Sequence, residues 1–266
     1  MRVHRIMQGR SLGLMVAAGI LLCGTAQRVD AAPDPASVAE QYLLSAANQE
    51  RASRGLSQLR RDPQLAHAAA QHARQMAEHS GISHQFPGEP ELTSRGASAG
   101  VAFSMILENV AEAPSAVQIH DMWMNSEHHR TNLLDPAIDV AGISVVERNG
   151  ELYAVEDFAK TVRATSLAEQ ELAIAALVKR QAQVAIASDA SAISVARQTC
   201  GMSSGYAGTR KPWFVMRFTS DSLTRLPDEL NTRLASGKYH QAAVGACAGD
   251  SSSPFTSYNF AVLLYP

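Results

Sequence analysis

The sequence predicts an α/β sandwich followed by a smaller α+β extension, and three observations carry that reading. Apolar residues recur at helical spacing from Val38 to Glu50 and again from Leu65 to Met76. Asn149-Gly150 lies between two apolar runs, 140–146 and 152–158, which is a strong hairpin signal. After Lys160 the character changes to an Ala-rich helical run and short alternating strands. Helices therefore come first, an antiparallel sheet late, and then a second, smaller helix-plus-sheet region.

In order, a linker rich in Ala and Pro over residues 31–37 leads into a first helix stopped at Gly55. Asp62-Pro63 starts a second helix, with Pro at the first helical position, and Ser80-Gly81 ends it. Residues 82–102 carry several Gly and Pro with no period, and read as a loop wrapping a cleft. Pro114 opens a third helix expected to turn Val117, Met122 and Trp123 inward. Residues 125–134 continue as a shorter helix, stopped by Asp135-Pro136. Ser166-Leu167-Ala168-Glu169 is a capping box for a helix expected to run to about Ser188, and Asp189 caps another. Residues 213–219, 241–246 and 260–265 read as strands, and Pro227 to Ser236 as a helix closed by Gly237. The sequence shows no repeat and no low-complexity segment.

Of the 266 residues, 46% are hydrophobic and 18% charged, a globular balance. Residues 1–26 read as a secretory signal: Arg2, Arg5 and Arg10, then an apolar stretch from Leu12 to Cys23, then Gly24-Thr25-Ala26. Cleavage after Val29-Asp30-Ala31 is an alternative. The apolar stretch is too short for a comfortable membrane span, so no transmembrane anchor is expected after cleavage. Leu22 is bulky where a lipidation site before Cys23 would carry a small residue. Removing 1–26 takes away three arginines and no acid, leaving 20 basic against 25 acidic residues, a net −5. That sign excludes nucleic acid as a partner, for want of a basic face to neutralise phosphates. Two cysteines then remain, Cys200 and Cys247, and in an exported chain an even pair is most simply a disulfide.

Seven of the nine histidines fall between residues 67 and 129. His72 lies on the apolar stripe of its helix and reads as a hydrogen-bonded core residue; His67 and His79 read as solvated, and His120 as structural. His84 and His129 each follow a chain break or helix turn beside small polar residues. With Glu108 they supply two imidazoles and a carboxylate, three ligands for Zn²⁺ or another divalent cation. Their spacing matches no zinc signature. A second chemistry uses Ser126 as nucleophile, His129 as base three residues on, and Glu108 as orienter, although no nucleophile elbow surrounds Ser126. The bland alternatives are a helix-capping Ser126 and a Glu108 that pins a loop.

At these residues the chain resembles the CAP superfamily, also called SCP-like domains (cysteine-rich secretory proteins, antigen 5, pathogenesis-related 1). Asn48-Gln49-Glu50-Arg51 with Gly55-Leu56 resembles its first helix, Leu65 to Met76 its second, and Ser83-His84 its first cleft histidine. Glu108-Asn109-Val110-Ala111 resembles the Glu-Asn motif. Trp123-Met124-Asn125-Ser126 with His129-Arg130-Thr131-Asn132-Leu133-Leu134 resembles the bacterial form of the following motif. Gly142 and residues 153–158 resemble the closing strands. The resemblance covers residues 38–162 and implies an α-β-α sandwich whose cleft holds two histidines and two acids. His84, Glu108 and His129 carry over; the second acid falls at Ser126. Glu127 is one residue off, about 100° around a helix, and His128 offers a fourth nitrogen. Family members are described as binding metal, sterols or other lipids, or as peptidases.

The organisation expected is thus a signal peptide at 1–26, a linker at 27–37, a CAP-like domain at 38–162 and a disulfide-bearing α+β extension at 163–266. The expected protein is a secreted or periplasmic monomer. Its function is expected to be a binding module whose His84–Glu108–His129 cleft holds a divalent metal or small ligand. The alternatives are a hydrolase in the same cleft and a lipid or sterol carrier, for which the sequence offers no clear apolar groove.

Overall fold

A computed structural model describes residues 36–250 and 252–266; the signal peptide read at 1–26 and most of the linker lie outside these residues. The first half runs α1 (Val38–Ser53), β1 (Arg60–Arg61), α2 (Pro63–His79), α3 (Leu92–Ser98), β2 (Phe103–Ala113), α4 (Ala116–Asn125), α5 (Glu127–Leu133), β3 (Val140–Arg148) and β4 (Glu151–Thr161). The second half runs α6 (Leu167–Gln181), β5 (Ala185–Ile186), α7 (Ala190–Cys200), β6 (Phe214–Ser220), α8 (Asp228–Ala235), β7 (Gln241–Cys247) and β8 (Tyr258–Tyr265).

Local chemistry sets most of these boundaries. Ser37 and Glu40 form a capping box on α1, and Asp62 caps α2 by accepting from the Leu65 N–H at 2.8 Å, with Pro63 at the first turn. Asn149 and Gly150 both take positive φ (56° and 85°) and join β3 to β4, as a two-residue hairpin requires. The first sheet has the order β1-β3-β4-β2, so β2 is an edge. One face of the sheet packs α2 through Ala69, Ala73 and Met76 against Val110, Tyr153 and Val155. The other packs α1, α4 and α5 through Leu43, Trp123 and Leu133 against Ala111, Ala154 and Phe158. The α-β-α sandwich is therefore present.

Four expectations need correction. Residues 82–102 are not loop throughout, because α3 sits inside them. Trp123 is fully buried, but Val117 and Met122 are 50% and 47% exposed and point outward; only every third or fourth residue of a one-sided helix can face the sheet. The helix after the Ser166 cap stops at Gln181, short of Ser188, because Ala182 turns into extended backbone that leads to β5.

The fourth concerns repetition. The second sheet has the order β5-β7-β8-β6, with β5 parallel to β7 and the other pairs antiparallel. That is the order and polarity of the first sheet, strand for strand. The helices intervene at the same places once α3 and α5 are set aside. The two halves even share a packing device. A Cβ on Gly142 of β3 would overlap the Leu65–Ala66 backbone of α2, and one on Gly245 of β7 would overlap the Ala196–Arg197 backbone of α7. The chain holds the same topology twice, in sequences too different to show it. Cys200 and Cys247 are bonded, joining α7 to β7 across 5.8 Å between Cα atoms. The halves meet where the Thr256 N–H donates to the Phe103 carbonyl (2.7 Å) and Lys160 pairs with Asp221.

Candidate functional site

The site is built on the β2 edge, where successive residues point to opposite helical layers. Glu108 faces the α2 layer and Asn109 the α5 layer, so a dipeptide serves two purposes. The Asn109 amide donates to the His129 carbonyl (3.0 Å), and Asn132 donates to the Glu108 carbonyl (3.2 Å) and the Asn109 side-chain oxygen (3.1 Å). These bonds dock α5 on the strand. Trp123 donates its indole N–H to the Val110 carbonyl (3.2 Å) and docks α4 beside it. Arg51, fully buried on α1, donates to the Leu133 and Asp135 carbonyls at 2.8 Å each and holds the far end of α5. The motif residues of the first helix thus position His129 from a distance.

On the other layer Glu108, 6% exposed, is held by two donors. Its Oε1 accepts from His84 Nδ1 at 2.9 Å, and its Oε2 pairs with the Arg95 guanidinium of α3, itself 4% exposed. Arg95 also donates to the carbonyls of His84 and Pro90 at 3.3 Å. His72 has one ring nitrogen on Glu89 and the other on the Ser83 carbonyl, both at 2.7 Å. It is the core histidine expected, with no nitrogen left for a ligand. Its bonds pin the 83–89 loop and so the mouth of the cleft. His120 is buried, also as expected, whereas His67, His79 and His128 are exposed.

The two cleft histidines differ in charge tendency. The hydrogen bond that His84 donates to Glu108 raises the pKa of His84 above the ordinary value, against some desolvation. Burial lowers that of His129, and the charges of His84 and His128 lower it further. Beneath them lie two acids that sequence reasoning did not single out. Asp157 pairs with Glu108 across the β2–β4 ladder, and Glu156 with Asn109. Both are fully buried, and no hydrogen bond from the described residues reaches their carboxyl oxygens. The Asn109 amide lies beside Glu156 and pulls its pKa down, but burial dominates and pushes it up to about 8. Burial, then the Glu108 charge, raises Asp157 well above its ordinary value.

A groove of about 1000 Å³ runs from Ser126 and His129 along the β2 edge, between Ile82 on one wall and Met122 on the other. The apolar groove that the sequence did not disclose is there, although carboxylates also line it. Among the described residues no group of three or more His, Cys, Asp or Glu is arranged to hold a metal ion. The Glu108 oxygens are already engaged by His84 and Arg95, so a cation bound at His84, Glu108 and His129 would have to displace a guanidinium. The residues as they stand do not fit a three-ligand metal site. Ser126 ends α4 and begins α5, but its hydroxyl makes no cap bond and none to His129. Glu127 is exposed.

Arg95, Glu156 and Asp157 escaped the sequence reading, and Asn132 entered it only as a motif residue with no role. Arg95 sits in a seven-residue helix of about two turns, too short to show periodicity, and the two acids lie in a run that reads as sheet core. The second half serves as a control for what the fold itself needs. Matching Gly142 with Gly245, through the pairs Gly142–Asp157 and Gly245–Ala261, places Ala261 at the Asp157 position and Phe260 at that of Glu156. Arg217, opposite Ala261, takes the place of Glu108. The same topology stands without the acids, and it lacks α3 and α5, the two elements that carry Arg95 and His129.

Residues 44–158 match the model of the cysteine-rich secretory protein family, CAP. The uncharacterized protein YkwD of Bacillus subtilis is 28% identical over 130 residues, 48% of this chain and 50% of its own length. An extracellular protein containing an SCP domain from Bacillus anthracis is 27% identical, with a TM-score of 0.44 over 46% of this chain and 40% of that one. An outer surface protein of Borrelia burgdorferi is 21% identical, with a TM-score of 0.44 over 46% of this chain and 92% of that one. The chain thus spans half or less of the Bacillus proteins it matches. The segment matched by the family model ends within β4, so the second half lies outside that match. Residues 44–158, which carry the strand, helices and histidines of the cleft, are thus the part of this chain that is similar to the CAP family, in its bacterial form.

Proposed function

We propose that the chain is an exported binding module whose cleft grips a ligand oxygen, a carbonyl or carboxylate, between His84 and His129. The observation that carries this reading is the Arg95–Glu108–His84 chain, two buried charges behind one exposed imidazole. It holds His84 as a hydrogen-bond donor at the cleft mouth, beside a His129 that burial keeps toward the neutral form. A donor and a neutral ring fixed on separate layers suit recognition. Hydrolysis at Ser126 needs a nucleophile–base hydrogen bond that Ser126 and His129 do not make. Export is supported by the charge and apolar pattern of residues 1–26, by the disulfide, and by relatives described as extracellular or outer-surface proteins.

N-acetylglycine, which carries both an amide carbonyl and a carboxylate, is the probe. Titrated into the protein, it should shift the imidazole NMR resonances of His84 and His129 together, and His84→Ala or His129→Ala should abolish binding. Zinc retained after dialysis and lost in both variants would replace this reading with metal holding. Turnover of a peptide or ester library that vanishes in Ser126→Ala would replace it with a hydrolase.

A further inference from the structure

We infer that the groove beyond His129 takes an extended, basic peptide segment, added as a fifth strand to the β2 edge of the first sheet. For the anchored end of that segment the inference rests on the oxygen-binding cleft just proposed.

The edge comes first. In an antiparallel ladder every second residue directs its N–H and C=O away from the partner strand. On β2 these are the even-numbered residues, since Asn132 and Trp123 reach the carbonyls of Glu108 and Val110 from outside the sheet. Side chains of α5 and α4 thus cover the edge up to Val110. The next outward residue is Glu112, and no group among the described residues bonds its N–H or C=O. Glu112 lines the groove, and Pro114 closes the strand just beyond it. An uncovered donor–acceptor pair on a strand edge is completed by another extended backbone.

Shape and charge then choose the occupant. Ile82 and Met122, 52% and 47% exposed, stand on opposite walls with Ala111 and Ala113 between them. That leaves room for apolar side chains on alternate residues of an added strand. Glu112, Asp121 and Glu151 line the groove, and among the described residues no Lys or Arg does. Three carboxylates without a cation among the described residues, Glu112 accepting only from the Tyr153 hydroxyl, favour Lys or Arg at the intervening positions. A fatty acid would meet repulsion from them, and a cationic amphiphile would leave the Glu112 N–H unbonded. A basic peptide answers both features.

The test uses acetyl-Lys-Val-Lys-Val-Lys-amide, its Glu-for-Lys analogue, and a version N-methylated at alternate amides, by calorimetry on the oxidised, signal-free protein. The Lys peptide should bind, more weakly as salt rises, and the Glu analogue should not. N-methylation should weaken binding about tenfold, the scale of one lost hydrogen bond to a desolvated partner. Asp121→Asn with Glu151→Gln, both on the rim, should weaken it roughly threefold. Equal binding of the N-methylated peptide overturns strand addition, and binding of dodecyltrimethylammonium but not the Lys peptide overturns the peptide assignment. A Lys peptide that fails while N-acetylglycine still shifts both histidines sinks this inference alone. Failure of N-acetylglycine with retained peptide binding sinks the cleft reading instead.

Discussion

Arg95 is the residue on which the cleft turns. Its guanidinium is buried against Glu108, and removing one partner of a buried pair leaves the other charge uncompensated, at a cost of about 3–5 kcal/mol. Arg95→Met should therefore lower the urea midpoint sharply, and Arg95→Met with Glu108→Gln should recover much of the loss. Glu108→Gln alone should bring the His84 pKa down toward its ordinary value and relieve part of the lowering of His129, read by NMR titration. The His84 effect has a sign. Its pKa is raised in the fold, so its contribution is fully present below the ordinary histidine value and is lost as pH climbs through the raised one. Glu156 acts oppositely to an ordinary acid. Its folded pKa of about 8 lies above the unfolded value of 4.5, so the folded state binds the extra proton and stability falls as pH rises from about 4.5 to 8. Glu156→Gln should remove that slope and stabilise the protein at pH 8 by about 2 kcal/mol or more. An unchanged pH profile of the unfolding free energy would show that Glu156 is ionised in the fold.

The elements show what a sequence discloses and what it hides. The β3–β4 hairpin was legible because Asn149-Gly150 is a local signal, and α1 and α2 because their caps and apolar stripes are local too. Strand β2, which carries Glu108, was not. Phe103 to Ala113 is covered by helices on both faces, so its burial follows no alternation and no period marks it. Helix α3 was missed because seven residues make too few turns for a stripe. His84, Glu108 and His129 were found through short motifs. The clamp that holds them was not, since a buried arginine beside a glycine has no local signature. Gly142 shows the same limit. Its meaning is the nearness of α2, and Gly142→Ala should cost about 3 kcal/mol or more, because the obstacle is backbone and cannot swing aside. Urea unfolding of that variant checks it. A loss below about 1 kcal/mol would mean that α2 can retreat from β3.

At the scale of the molecule, one topology serves two ends. The first half departs from the minimum by adding α3 and α5, and those additions bring Arg95 and His129 to a strand that otherwise needs no acid. The second half keeps the minimum and closes it with a disulfide. Its cysteines join the end of α7 to the end of β7, the two elements that Gly245 already brings into contact, and the bond spans 47 residues. Closing a loop of that length stabilises by about 3–4 kcal/mol, chiefly by restricting the unfolded chain. Cys200→Ser with Cys247→Ser should therefore loosen the second half selectively. Hydrogen exchange should lose protection in α7, β7 and β8 by a hundredfold or more, while β3 and β4 keep theirs and the His84 and His129 resonances stay in place. The contacts between the halves are few, among them Lys160–Asp221, the Thr256–Phe103 backbone bond and the edge-on Phe103–Phe255 ring pair, which is why opening one half need not open the other. Equal loss of protection in β3 and β4 would instead make the two sheets a single cooperative unit, and the second half would then be a support that the cleft depends on.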